Sequence, residues 1–329
     1  MKAIRVSRYG GPEALELVDL PVPAPGPGEV TIDVTHAAVG LIDVLIRRGA
    51  FADYDLRMQP PYVPGIEVAG TIRAIGEGVT TLRVGDRVST LSISTGGGYA
   101  EVMVAPEEVT FALPDGVDPA QAVATLPNAT TAQLALTRAV TVPHGAKVLI
   151  LGATGALASV FPPIARRLGA SEVVGAVRSA DRIAEAEQLG FDRVVLSGAL
   201  LDALDGETFD IIVDPVGGAL RGTSLQLLAE MGRLLAVGSA DSSGHSVDTN
   251  ELWFNNRGVV GFAVGQFLQK NPAAAAPAAA AALATIADGS LKLGVETYPL
   301  ESAADAHTRM DAGGMSGRII LTPHPAGRS

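Results

Sequence analysis

Residues 147 to 158, KVLILGATGALA, form the stretch whose residue types and spacing point most directly to chemistry. Lys147 to Leu151 is an apolar run too short for a helix and bounded by glycine, so it reads as a buried strand. Gly152-Ala-Thr-Gly155-Ala-Leu157 follows as a turn of mostly small residues. An apolar stretch then runs to Leu168, where Gly169 acts as a helix C-cap, and Glu172 to Val177 is the next apolar run. Strand, turn, helix and strand make a βαβ unit with a right-handed crossover and a parallel sheet. A glycine-rich turn that opens such a helix presents backbone N–H groups and the helix dipole to an anion, which suits a pyrophosphate. The spacing G-x-x-G-x-x-A is looser than G-x-G-x-x-G. Glycines that only let a helix pack close to a sheet would give the same pattern.

Other residues fall at corresponding places. In open parallel sheets, ligands lie beyond the carboxyl ends of the strands. Phe209 to Val213 reads as a strand ending in Asp214-Pro-Val216-Gly-Gly218, and Arg233 to Val237 as one ending in Gly238-Ser239. One rim is therefore expected from Gly152, Thr154, Gly155, Ala156, Leu157, Arg178, Val216, Gly238 and Ser239, although each turn could merely close a crossover. NAD-specific sites place Asp or Glu at the end of the second strand, where it binds the adenine ribose and repels a 2′-phosphate. Here that strand ends in Arg178-Ser179, with Arg182 one turn later. Guanidinium forks suit phosphate oxygens, so NADPH is the expected cofactor. The alternative is that both arginines are solvated helix-start residues, one of them paired with Asp181. Phe262 and Arg318 are further cofactor-binding candidates.

Composition narrows the field. There is no cysteine, which excludes disulfides, thiolate nucleophiles and Cys-ligated zinc. The five histidines, at 36, 144, 245, 307 and 324, match no ligand spacing, so no metal is expected; His36 lies on an alternating run and reads as structural. A net charge of -11 disfavours a nucleic-acid partner. The N-terminal MKAIRVSRYGGPE lacks an apolar signal segment. Only the alanine-rich region approaches the length of a membrane helix, and alanine holds such a helix poorly, so a cytoplasmic protein without a membrane partner is expected. A chain of 329 residues predicts two domains.

The elements that position these residues follow from periodicity. Short period-two runs at Lys2 to Val6, Leu15 to Leu20, Val30 to Ala38, Glu67 to Ile75, Arg87 to Leu91, Tyr99 to Val104 and Thr110 to Leu113 predict an antiparallel, barrel-like domain. Asp43 to Arg48 reads as a short helix, and Asp86 as a turn residue bonding local backbone. Further on, helices are expected at Asn128 to Leu136, Asp181 to Leu189 and Thr223 to Ala229, the last stopped by Gly232. Residues 273 to 287 and Asp305 to Met310 also read as helices. Arg193 to Leu196 and Gly317 to Leu321 read as strands, and the tail PHPAGRS as frayed.

The whole pattern resembles the zinc-independent quinone oxidoreductase branch of the medium-chain dehydrogenase/reductase superfamily. The resemblance is carried by MKAIRVSRYGGPEAL, RRG at 47–49, PGIEVAG at 64–70, GDRV at 85–88 and GGYAE at 97–101, then LGATGA at 151–156, DPVGG at 214–218, GRLLAVG at 232–238 and the closing GRIILTP. It implies an α/β fold made of a GroES-like, partly open β-barrel domain and a Rossmann domain with a doubly wound parallel sheet. The expected division is 1–125 and 266–329 for the barrel domain, with 126–265 as the NADP-binding domain. The resemblance further implies an active-site cleft between the domains.

Position by position, the resemblance removes the zinc ligands. Gly40, three residues before Asp43, stands where zinc-dependent relatives carry cysteine; Ile66 replaces the histidine of P-G-H-E, and the third ligand falls near Pro127. Glu67 remains, but it is expected to pair with local backbone or an arginine, since one carboxylate cannot hold a catalytic zinc. The acceptor pocket of similar quinone reductases is lined by an asparagine and a tyrosine at positions matching Gly40 and Leu45, and often a second tyrosine matching Phe51. The pocket here is expected to be roomier and more apolar. Thr131 matches a threonine that faces the nicotinamide, the alternative being helix packing. The implied activity is NADPH-dependent hydride transfer to a quinone. An enone or enoyl reductase is the enzymatic alternative, and a low-turnover NADPH-binding protein the other. The apolar segment Arg257 to Val264 is expected to join two copies into a homodimer.

Overall fold

The computed structural model describes residues 1–52, 58–92, 96–241, 243–315 and 317–323. Of the tail expected to fray, residues 324–329 lie outside this set. Strands β1 (Lys2–Val6) and β2 (Leu15–Asp19) form an antiparallel pair. Then come β3 (Glu29–Val39), helix α1 (Leu41–Arg47), β4 (Glu67–Ile75), β5 (Arg87–Leu91), β6 (Val102–Pro106), β7 (Thr110–Ala112) and α2 (Pro119–Leu134). The next stretch holds β8 (Lys147–Leu151), α3 (Phe161–Arg167), β9 (Glu172–Val177), α4 (Ile183–Gln188), β10 (Arg193–Leu196) and α5 (Leu200–Ala203). It continues through β11 (Phe209–Asp214), α6 (Gly218–Leu225), β12 (Leu228–Ala236), α7 (Thr249–Phe254), β13 (Gly258–Gly261) and α8 (Val264–Lys270). The chain closes with α9 (Ala275–Ala287), β14 (Val295–Pro299), α10 (Ala303–Asp311) and β15 (Arg318–Thr322).

Two compact units result: one of Met1–Pro127, Ala275–Ala287 and Leu293–Ser329, the other of Asn128–Ala274 and Asp288–Lys292. The first unit is a GroES-like sheet in the order β14-β15-β3-β4-β5-β7, with β6 also on β3; all pairs are antiparallel except β14–β15. Its core gathers Ile32, Val34 and Val39 of β3 with Val68, Ile72, Met103, Ile319 and Leu321. That alternation along the strands is the period-two signal in the sequence, one face apolar and inward.

The second unit is a fully parallel sheet in the order β10-β9-β8-β11-β12-β13, a Rossmann arrangement. Counted from β8, this is the order 3-2-1-4-5-6, whose direction reverses between β8 and β11. Its strands are near-continuous apolar runs because both faces are covered. Leu149, Leu151, Val174, Ala176, Phe209, Ile212 and Leu234 are buried together.

Several local expectations differ from the structure. The helix expected from Asn128 begins at Pro119 and runs through Pro127. The helix expected at Thr223 to Ala229 is displaced: α6 spans Gly218–Leu225, and Leu228 already belongs to β12. Gly232 therefore caps no helix. It lies within β12, where the pairing register with β11 shifts and Met231 adopts φ 62. Short apolar runs such as Leu227-Leu228 fit either period, and here the parallel pairing with Phe209 decides. Asp86 does bond local backbone, its carboxylate accepting from Arg83 N–H at 2.8 Å. Among the described residues, no helix is long and apolar enough to cross a membrane.

Candidate functional site

The turn after β8 is shaped by contact with the loop after β11. Gly152 has φ 64, and a Cβ there would come within 2.9 Å of Val216 Cγ2. Gly155 N–H donates to Gly152 carbonyl at 2.8 Å, and Ala153 N–H donates to Ala176 at 2.9 Å, which ties the turn to β9. The side chain of Asn128 holds the Ala156 carbonyl at 3.1 Å. A turn of mostly small residues, with glycine at 152 and 155, thus lies at the point where strand order reverses, the place where α/β sheets receive a dinucleotide. The structure brings Gly152, Val216 and the turn residues 153–157 together; Gly238 and Ser239 adjoin them at the end of β12.

Beyond β9, Arg178 and Ser179 are exposed. Arg182 is half-buried: its Nη2 meets the Glu185 carboxylate at 3.0 Å, and its Nε donates to Thr154 Oγ1 at 3.4 Å. Arg182 thus pairs with Glu185, three residues on. A hydrogen bond from the Ser179 hydroxyl holds Asp181 below the usual carboxylate range. Thr131 lies buried in α2. Phe262 is half-buried, its N–H donating to Ala236 carbonyl at 2.9 Å and its ring tilted against Phe267.

Within the first unit, Gly40 precedes α1, and Asp43 accepts from Gly40 N–H at 2.9 Å and from Gly65 N–H at 3.2 Å. Asp43 is 2% exposed. Burial, helped by the Glu67 carboxylate, pushes it up to about 7 against the two N–H groups and Arg318. Glu67 pairs with Arg318, both buried, so that the guanidinium proposed for the cofactor is engaged inside this unit. Nearby, Arg47 is fully buried and reaches His307 Nδ1 at 3.1 Å and Asp311 at 2.9 Å. Arginine only donates, so His307 Nδ1 accepts, and Nε2 carries the proton toward Tyr99 Oη at 3.1 Å. Burial, then Arg47, holds His307 down to about 3.

Phe51 joins an apolar cluster of Ile46, Met58 and Ile66 with Ile42 and Tyr62. Leu45 is half-buried in α1, its carbonyl accepting from Ala50 N–H at 3.0 Å. Asn128, Asp214 and Arg221 were not singled out from the sequence as site residues. Asp214 had a signal, an aspartate at a strand end directly before a glycine turn.

Comparison with known proteins agrees with this geometry. A profile described as an alcohol dehydrogenase GroES-like domain matches residues 26–115, and one described as a zinc-binding dehydrogenase matches residues 168–321. The quinone oxidoreductase of Sus scrofa is 30% identical over 330 residues, covering 98% of this chain and 97% of that protein. The quinone oxidoreductase of Thermus thermophilus, whose structure includes a complex with NADPH, superposes with a TM-score of 0.83 at 31% identity, covering 98% of this chain and all (100%) of that one. A mycocerosic acid synthase-like polyketide synthase of Mycobacterium tuberculosis is 30% identical over 333 residues, 99% of this chain but 16% of that protein. GroES-like sheet and Rossmann sheet, with these matches, define a medium-chain dehydrogenase/reductase, an oxidoreductase. The chain belongs to the quinone oxidoreductase family of that superfamily.

Zinc, named in one profile's description, does not fit the residues present. Gly40 and Ile66 offer no ligand atom, and among the described residues no group of three or more His, Cys, Asp or Glu could hold a metal ion. The surviving carboxylate, Glu67, is taken by Arg318.

Proposed function

We propose that this oxidoreductase is NADPH-dependent, works without zinc, and delivers a hydride to a quinone. The observation that carries the reading is the glycine turn at Gly152, where a Cβ would meet Val216 at the point where the strand order reverses. When bound, NADPH supplies the hydride. Residues 152–157 would hold the pyrophosphate at the helix N-terminus, although the N–H groups of Ala153 and Gly155 already donate to Ala176 and Gly152. Arg178, Ser179 and Arg182 would hold the adenine 2′-phosphate, which an acidic residue there would repel. Val216, Gly238 and Ser239 would line the other half of the dinucleotide. Thr131 acts as a positioning donor. Phe51, with Ile42 and Ile66, gives the acceptor an apolar face for a planar ring, which suits an electrophile that needs stacking more than polarisation. Water supplies the proton to the product oxygen.

An α,β-unsaturated ketone or enoyl thioester is the second acceptor class, favoured by Gly40 and Leu45, which lack the polar side chains of the quinone-pocket pattern. NADPH oxidation against a panel of quinones, enones and enoyl thioesters distinguishes the two. Turnover with quinones at least tenfold above the others supports the first; the reverse order assigns the second, and no turnover with any of them refutes both.

The assembly belongs to the same proposal. β13 ends the parallel sheet with an open edge, and Trp253, Phe254 and Met231 are 76%, 79% and 64% exposed. An open strand edge and exposed aromatics suit pairing with a second copy of the chain.

A further inference from the structure

Arg221 is positioned between two strand ends that the cofactor reading uses. Asp214, at the end of β11, is fully buried, and its Oδ1 accepts from Val216 N–H at 2.9 Å and Gly217 N–H at 2.8 Å. Its Oδ2 accepts from Arg221 Nε at 2.5 Å, while Arg221 Nη2 donates to the Gly238 carbonyl at 3.0 Å. A single planar guanidinium on α6 therefore spans the loops after β11 and β12. Backbone bonds join the same loops: Val237 N–H to Asp214, Ala240 N–H to Pro215 and Asp241 N–H to Val216, at 2.9, 3.2 and 2.8 Å. The approach is close enough that a Cβ on Gly238 would fall 2.7 Å from the Pro215 carbonyl oxygen. Val216, so placed, is the residue that abuts Gly152.

We infer that Arg221 is a positioning residue for the nicotinamide half of the cofactor, holding Val216 and Gly238–Ser239 as one surface. The inference rests on the NADPH reading above. In a sheet of this order the two halves of a dinucleotide lie on opposite sides of the point where strand order reverses. Arg178 and Arg182 follow β9, on the side away from β11, so the loops after β11 and β12 serve the other half. The polar contacts of the Arg221 guanidinium among the described residues go to those two loops, and to neither the β8 turn nor residues 178–182. Its fork is what permits two partners at once. A lysine there keeps the charge beside Asp214 but offers a point donor in place of a planar pair.

The test compares two ligands on the full chain by titration calorimetry: NADPH, and 2′-phospho-ADP-ribose, which keeps everything but the nicotinamide. For Arg221→Lys the expected result is NADPH bound about tenfold more weakly, as for one charge-assisted bond lost from the surface, with the fragment within about twofold of the parent. If Arg221→Lys does not fold, Asp214→Asn with Arg221→Gln removes the two paired charges together and carries the same comparison. Equal weakening of both ligands shows Arg221 to be only structural and overturns the inference, as does unchanged affinity for both. A parent that binds neither ligand removes the cofactor reading itself, and the inference with it.

Discussion

Replacing Asp43 by asparagine removes a titrating carboxyl from the interior of the first unit, and the effect on stability depends on pH. Asp43 is pushed up to about 7 from the 3.8 of an exposed aspartate, mainly by burial. Between those values the folded protein keeps a proton that the unfolded chain has released. This contribution favours folding at low pH and is lost as pH rises through about 7. At about 1.4 kcal/mol per unit, it amounts to roughly 3 kcal/mol between about pH 5 and pH 8. His307 acts in the opposite direction. It is held down to about 3 from 6.5, so the unfolded chain takes up the proton first and stability is lost as pH falls below 6.5. Down to about pH 5 that costs about 2 kcal/mol. The two groups nearly offset each other in the parent. The Asp43→Asn variant also loses an acceptor for the Gly40 or Gly65 N–H, a cost independent of pH. Urea unfolding of parent and variant, followed by circular dichroism from about pH 5 to pH 8, reads the difference. The stability of the variant relative to the parent should rise by roughly 3 kcal/mol across that range, about two powers of ten in the folding equilibrium. His307→Gln should show the opposite slope, by about 2 kcal/mol. A stability difference between Asp43→Asn and the parent that stays constant with pH would refute the reasoning.

Other outcomes follow from the same geometry. Alanine at both Arg178 and Arg182 should erase most of a preference for NADPH over NADH, about tenfold or more per arginine, read as dissociation constants by fluorescence at fixed salt; an unchanged ratio would show that these arginines are not the selector. Gly152→Val places a branched side chain at φ 64 against Val216, and should weaken NADPH at least tenfold while costing about 1–3 kcal/mol of stability. Glutamate at both Trp253 and Phe254 should convert a dimer into a species near 33.6 kDa by light scattering, whereas a parent already at that mass excludes the dimer. Elemental analysis after dialysis should find no stoichiometric zinc, with turnover intact in strong chelator; zinc whose removal abolishes turnover would show that the loss of ligands at Gly40 and Ile66 had been misread.

By itself the sequence determined the periodic elements and the residues with no alternative chemistry. The apolar runs at Lys147–Leu151 and Glu172–Val177 have the observed strand limits, because strands buried on both faces tolerate little else. The absence of cysteine, with glycine at 40 and isoleucine at 66, leaves no thiolate or imidazole at the positions where zinc-dependent relatives carry ligands. The tertiary structure decided what periodicity leaves open. Leu227-Leu228 fits a helix or a strand until pairing with β11 chooses, and the register shift at Met231 depends on that pairing. It also decided the partners of charges far apart in the chain. Glu67 meets Arg318 across 251 positions and Arg47 meets His307 across 260, and only folding sets such distances. The helical turn after β9 brings Arg182 to Glu185, since side chains three apart share a face.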